Sequence, residues 1–328
     1  MAIQSPATAV TIEELHPDML SRALQRLDGP ALASLSCAST HLRSLVSQPD
    51  LWRDLCFSTW PSLHHPRLLR LLSSSANSHR SFFSDVFPSP SPLTVFPSAA
   101  VAGDEDADLP SELISAIDLC HRGVPVLSRI VETDTSTPWF RGAPFRVDAL
   151  DRKDPPPPSP PALPALAAPA EPIISPEDLT LSWIVIDPHR MRAVTATSRR
   201  PVAVDRHWIT GETVIRFATV LSEECALGVV VTCGEETGHV REVSLMAEGV
   251  DGVCLSGRGG LAVLHAAMEG RRTKEEAEEV SRRRWEEFTG CRRKRKEAAA
   301  HRERVVDLTC AAVGAVAFLS LFLAAVLR

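Results

Sequence analysis

Twenty consecutive residues without a charge, Leu308 to Leu327 (LTCAAVGAVAFLSLFLAAVL), constrain this chain more than any other segment. A helix of that length rises about 30 Å, the hydrocarbon thickness of a bilayer, and satisfies its own backbone polar groups as lipid demands. Thr309 and Ser320 can bond back to the helix backbone, so neither opposes insertion. The segment predicts a single transmembrane tail anchor over 305–328, with Leu308, Phe318 and Leu327 facing lipid. The competing reading is a buried helix of a soluble domain, although such helices are rarely apolar on every face.

The flank sets the orientation. Arg292-Arg293-Lys294-Arg295-Lys296, Arg302 and Arg304 precede the run, which keeps the bulk of the chain on the cytosolic side. The same cluster also reads as a nuclear-import or acidic-lipid patch. Residues 282–304 hold ten Arg or Lys in a chain of net charge −6, so the remainder is acidic and nucleic-acid binding is not expected. Eight cysteines are scattered without tight pairs, and the first residues (MAIQSPATAVTIEEL) have neither a basic nor an apolar signal region. Reduced thiols in an intracellular protein follow, at the endoplasmic reticulum or nuclear envelope, or alternatively in the nucleus.

Hydrophobic periodicity divides the rest into an α+β chain. Residues 1–10 read as disordered and 11–60 as short helices: Leu20, Ala23, Leu24 and Leu27 share one helical face, and Asp28-Gly29-Pro30 ends one helix and starts another. Residues 61–153 read as a helical or irregular linker packing on the C-terminal domain, with a helix at Ser111–His121. Residues 154–178 are a Pro-rich spacer. From 179 to 270 the texture is β-rich: Leu181–Asp187, Arg190–Thr197, Thr213–Val220, Leu227–Cys233 and Val240–Met246 predict mainly antiparallel strands, and Leu261–Gly270 predicts a helix. Residues 271–304 form a charged helix, a solvated stalk with Trp285 and Phe288 as its few apolar anchors.

The N-terminal helices carry too few residues for a rich core, yet space Leu, Met, Pro and Trp as a partner-binding module would. Leu15-His16-Pro17-Asp18, Leu20, Leu24, Leu27, Leu32, Leu35, Leu51-Trp52 and Leu55 resemble an F-box. His16 shifts the proline of the usual Leu-Pro pair by one place, and Thr40-His41-Leu42 stands where many members have Trp-Arg. A wider resemblance is to plant F-box proteins with a C-terminal transmembrane tail, the cytokinin-induced type. It is carried by Pro138–Gly142 (PWFRG), Ser182–Pro188 (SWIVIDP), Arg206-His207-Trp208, Gly211-Glu212 and Gly252–Arg258 (GVCLSGR).

The resemblance implies a substrate receptor of an SCF-type (Skp, cullin, F-box) ubiquitin ligase. A Skp-type adaptor would dock on Leu15, Pro17, Leu20, Leu24, Leu27, Leu32, Leu35, Leu51 and Trp52, and through it the cullin and RING subunit. The 179–270 region would hold an unknown protein target. A membrane-tethered F-box scaffold without ligase activity stays open. No covalent chemistry is required of this chain, since the complex brings a charged conjugating enzyme to a held target. Trp139, Arg141, Arg206 and Trp208 are candidate target contacts, an aromatic beside an arginine being a common interface pairing; the alternative places Trp139, Phe140, Trp183 and Trp208 in the core.

Other chemistry finds little support. Cys225, Cys233 and His239 lack zinc spacing. Ser256–Gly260 (SGRGG) lacks the Lys-Ser/Thr of a P-loop and reads as a tight turn before the Leu261 helix. His64-His65, His189 and His207 have no companions at informative spacing. Catalytic residues, cofactor and metal are therefore all expected to be none.

Overall fold

Caps and prolines punctuate the leucine-rich N-terminal stretch about every ten residues, and short helices result. In the computed structural model, which describes residues 16–73, 78–93, 109–153, 175–234, 239–273 and 278–327, α1 spans Pro17–Leu24, α2 Gly29–Ala38, α3 Thr40–Val46 and α4 Pro49–Thr59. His16 caps α1, its ring nitrogen accepting from the Asp18 amide; Asp28 caps α2 through Ala31 N–H at 2.9 Å; Ser39 caps α3 through Leu42 N–H at 3.2 Å. Pro17, Pro30 and Pro49 occupy first turns, where a missing N–H costs nothing. A 3-10 turn at Pro61–His64 leads to α5 (Pro66–Leu72) and α6 (Ser78–Val86).

Two antiparallel sheets follow. The first runs β2-β1-β4-β5, with β1 at Glu112–His121, β2 at Val124–Asp134, β4 at Leu179–Asp187 and β5 at Arg192–Thr195. The second runs β3-β9-β8-β7-β6, with β3 at Arg146–Leu150, β6 at Ala203–Arg206, β7 at Thr213–Val220, β8 at Cys225–Cys233 and β9 at Val240–Gly249. Three further helices are α7 (Pro138–Gly142), α8 (Gly257–Glu269) and α9 (Glu278–Val326). The α+β class is as expected from the sequence, with helices first, antiparallel sheets next and a long C-terminal helix last.

Layer follows layer from residue parity. Leu113, Ile117, Leu119, Leu181, Trp183 and Val185 of the first sheet meet Ile215, Phe217, Val229, Val243 and Leu245 of the second, and α8 adds Leu261, Leu264 and Met268 to this core. The opposite face of the first sheet, Ile114, Ala116, Ile184, Ile186 and Ala193, packs on Trp52, Leu68, Phe82 and Phe83 of the N-terminal helices. On the outer face of the second sheet, Ala218 and Ala226 meet Trp285 and Phe288 of α9.

The predicted helix at Ser111–His121 is instead strand β1 (Glu112–His121), and the 61–153 stretch supplies β1, β2 and β3 as well as helices α5, α6 and α7, so it is not a helical or irregular linker alone. The apolar spacing misled because β1 is central and buried on both faces, so its pattern does not alternate. A tight turn joins it to β2, with Arg122 at φ 52° and Gly123 at φ 79°, the left-handed pair of a primed hairpin turn. The β-rich unit thus draws strands from both sides of the Pro-rich segment, whose residues 154–174, like residues 1–10, lie outside the described ones. Residues 271–273 are not helical: Arg271 O accepts from Ser91 N–H, and Arg272 bridges to Pro90. Helix α9 then runs unbroken through the 304/305 boundary, and it is long and apolar enough to cross a membrane. Its first turns lie on the sheet rather than in solvent.

The glycines of SGRGG lie inside the first turn of α8, not in a turn before it. A Cβ at Gly257 would collide with the Phe140 carbonyl, and one at Gly260 with the Phe145 ring. Close packing, not phosphate binding, explains that motif.

Asp118 on the helix-facing side of β1 ties the layers together. Its carboxylate accepts from Ser62 N–H (2.9 Å), Ser62 Oγ–H (2.6 Å) and Ser128 Oγ–H (2.7 Å). Burial pushes its pKa up, and those hydrogen bonds only partly offset the rise. Asp118→Ala should therefore lower stability by about 3 kcal/mol in chemical denaturation, by leaving three donors without their acceptor. Because the folded carboxyl keeps its proton to higher pH than the unfolded one, its contribution is complete below the unfolded value of about 4 and declines as pH rises through the folded value. Asp118→Asn, which preserves one acceptor, should cost less and flatten that pH dependence.

Candidate functional site

Two surfaces stand out, one on the helical module that covers the first sheet and one at the β6 edge of the second sheet. The first is the N-terminal helical module. Leu20, Leu24, Leu32, Leu51 and Trp52 are buried within the protein itself. Trp52 is held by its ring N–H donating to Val46 O at 2.7 Å and by the Phe83 ring at 5.5 Å, so it fills the core instead of standing at the surface. Leu27 and Leu35 are half-buried, Pro17 opens α1, and Leu15 lies outside the described residues.

What the module does expose was not singled out from sequence. Met19 is 59% exposed on α1. Helix α2 (GPALASLSCA) has no charged residue and buries only Gly29, Leu32 and Ser36, with Gly29 pressed against Phe83. Its other face, Pro30, Ala33, Ser34, Cys37 and Ala38, is exposed, small-sided and uncharged. The available signal was a ten-residue helix without a charge, which is unusual for a helix lying on a surface.

The second surface is the β6–β7 hairpin. Trp208 is 88% exposed and Ile209 68%. Beneath them the loop is braced: His207 N–H donates to Glu212 O and Gly211 N–H to His207 O, both at 2.8 Å, and Arg206 Nε donates to Gly211 O at 3.1 Å. The buried Glu212 carboxylate is clamped by Arg152 at 3.0 Å, Arg241 at 3.3 Å and Thr210 Oγ at 3.1 Å. Desolvation pushes the Glu212 pKa up, but Thr210, Arg152 and Arg241 together hold it below the ordinary carboxylate range. A rigid tip thus carries two large apolar side chains into water, the kind of feature that anchors protein interfaces.

Trp139 does not join it. Helix α7 precedes the first residue of β3, whose Arg146 pairs with Met246, whereas Glu212 lies beside the other end of β9, at Arg241 and Glu242. Five residue steps of strand, about 17 Å, separate those ends. Trp139 is 81% exposed there, while Phe140 and Trp183 are core residues. Arg141 braces the approach to α7, donating to Thr135 O at 3.1 Å.

Other candidate chemistry resolves into packing. Burial pushes the thiols of Cys225 and Cys233 up to about 11 and that of Cys56 up to about 12. Among the described residues, no group of three or more His, Cys, Asp or Glu could hold a metal ion. His65 caps α5, and His207 orders the hairpin by accepting from Thr210 N–H at 3.2 Å.

A family model described as the F-box domain matches residues 12–54, which contain α1 to α3 and the start of α4. An Arabidopsis thaliana protein described as a "probable F-box protein" is 42% identical over 322 residues, 97% of this chain and 95% of the relative. A second Arabidopsis F-box protein is 35% identical over 336 residues, 97% of each chain. A third is 36% identical over 278 residues, 78% of this chain and 74% of its own length. No solved structure matches the chain.

The clamp on Glu212 is open to direct test. Glu212→Gln should cost about 1 kcal/mol after allowing for exposure of both arginines, and amides of 207–212 should exchange severalfold faster in hydrogen-exchange measurements. Because the folded pKa of Glu212 is depressed, the wild-type contribution is present above the unfolded value and lost as pH falls through the folded one. The Glu212→Gln variant, having no proton to take up there, should show no such loss.

Proposed function

The chain belongs to the F-box protein family, and on that premise we propose that it is the target-recognition subunit of an SCF-type ubiquitin ligase, of the cytokinin-induced F-box type with a transmembrane tail. It binds a Skp-type adaptor, and through it a cullin and RING subunit, and it contributes no catalytic group of its own. The observation that carries this reading is the F-box match over 12–54, coinciding with a folded helical module whose α2 face is uncharged and exposed. Met19, Leu27, Leu35 and the exposed face of α2 form the docking surface; Leu20, Leu24, Leu32, Leu51 and Trp52 shape it from within. Pro17, at the start of α1, leads the chain into it.

The target is a protein held on the second surface, around Trp208, Ile209 and Arg206. Helix α9, with its basic residues before its apolar part, holds the complex at a membrane as a single-pass span with the bulk of the chain in the cytosol, at the endoplasmic reticulum or nuclear envelope.

Docking and folding can be separated by choice of residue. Ala33→Arg, on the exposed face of α2, should leave the melting temperature within a degree or two of wild type and reduce adaptor capture at least tenfold in a pull-down. Trp52→Ala should instead lower stability by about 3–5 kcal/mol, as for other buried aromatics. Undiminished capture by Ala33→Arg would remove α2 from the interface. Adaptor capture without cullin co-assembly would indicate a scaffold rather than a ligase subunit.

A further inference from the structure

We propose that the corner of the sheet domain carrying Trp139 faces lipid, so that Trp139 is a membrane-interface anchor and not a target contact, and that its partner is an anionic phospholipid surface. This inference rests on the reading of α9 as a membrane span.

Helix α9 crosses the outer face of the second sheet in a defined direction. It starts beside the segment leading into β6, where Arg200 pairs with Glu278 at 3.1 Å. It passes over Ala218 of β7 and Ala226 of β8 through Trp285 and Phe288. It leaves past β9, where Arg292 binds Glu248 at 2.6 Å and Gly252 O at 3.3 Å. There Lys296 also lies against Gly252, which sits at φ +87°. With the strand order β3-β9-β8-β7-β6, the helix points out over the β3 side. Helix α7 and Trp139 lie on that side, at the same strand ends as Gly252. Val253, also exposed, is next to Gly252.

Distance closes the argument. From Lys296 to Leu308 the unbroken helix rises about 18 Å before the apolar run begins. The headgroup layer takes up about 7 Å of that, and β3 lies one strand spacing, about 5 Å, nearer the membrane than β9. The gap left is about the length of a tryptophan side chain. Between 292 and 304, seven Arg or Lys stand against Glu297 and Glu303, a net of +5 with His301 neutral. Positive charge within a Debye length of the surface favours anionic headgroups, and an exposed tryptophan favours the interface itself. Trp208, at the far end of the strands, is turned away from it.

The test uses the full chain reconstituted into phosphatidylcholine vesicles with or without 30% phosphatidylserine, doped with a lipid bearing a nitroxide on its headgroup. Tryptophan fluorescence should be quenched, more strongly in anionic vesicles. Trp139→Phe should abolish most of that quenching and Trp208→Phe none of it. Quenching unchanged by Trp139→Phe, in protein that resists alkaline carbonate extraction, would overturn this inference and leave the span standing. Protein released by carbonate would overturn both.

Discussion

Burial of the first sheet on both faces is the constraint from which the rest of the architecture follows. One face of β1 and β4 closes the core shared with the second sheet, and the other supports the N-terminal helices. A small helical module with few core residues of its own gains its apolar floor in this way, since Ile114, Ile184 and Ile186 complete the packing around Trp52, Phe82 and Phe83. Two polar side chains then fix the position of the module. Asp118 reaches it from β1 through Ser62. Arg272 donates to the carbonyls of Asp85 on α6, Ala193 on β5, and Ala267 and Met268 on α8. Burial lowers the Arg272 pKa, yet a guanidinium remains charged, and its carbonyl partners compensate for the lost water.

The same double burial decides what could be read from the residues alone. The N-terminal helices were legible because Asp28, Ser39, Pro30 and Pro49 mark their starts chemically, whatever they pack against. β7, β8 and β9 were legible because β-branched runs are separated by short polar turns. β1 was not: a strand covered on both sides loses its period of two, and Leu113, Ile114 and Ile117 imitate a helical face. β2 held the missing clue, since the β-branched run Val124–Val131 follows Arg122-Gly123, a pair suited to a hairpin turn. β3 and β6 are short edge strands whose identity depends on their neighbours β9 and β7, so no local pattern could mark them.

For the candidate surfaces, residue type was legible but depth was not. Trp52 and Trp208 each stand between one aliphatic and one polar or charged residue (Leu51 and Arg53, Ile209 and His207), and nothing local distinguishes them. The ring of one is enclosed because α6 brings Phe83 and Arg80 against it, a contact made more than twenty-five residues away. The other is exposed because Glu212, clamped by Arg152 just beyond β3 and by Arg241 on β9, holds the hairpin outward. The arginines responsible lie far apart along the chain, at 152 and 241. Similarly, the charged stretch before the apolar run looks solvated throughout, but Trp285 and Phe288 find small partners, Ala218 and Ala226, on a sheet face that leaves room for a helix.

These contacts fix where the helical module, the hairpin tip and α9 stand relative to one another. The helical module covers the outer face of the first sheet and α9 the outer face of the second, so the two lie on opposite sides of a sandwich about 10 Å from sheet to sheet. Both are bound by buried aromatics and by side-chain hydrogen bonds, Ser62 donating to Asp118 on one side and Arg292 to Glu248 on the other. Reach toward a target is then set by this fixed spacing and by the braced hairpin, in contrast to a module hung on a loose tether, whose local concentration falls as the tether lengthens. On the proposed reading, an ordered spacer of this kind favours targets presented at one height above the membrane, because transfer to a held substrate depends on the geometry in which its reactive groups are presented.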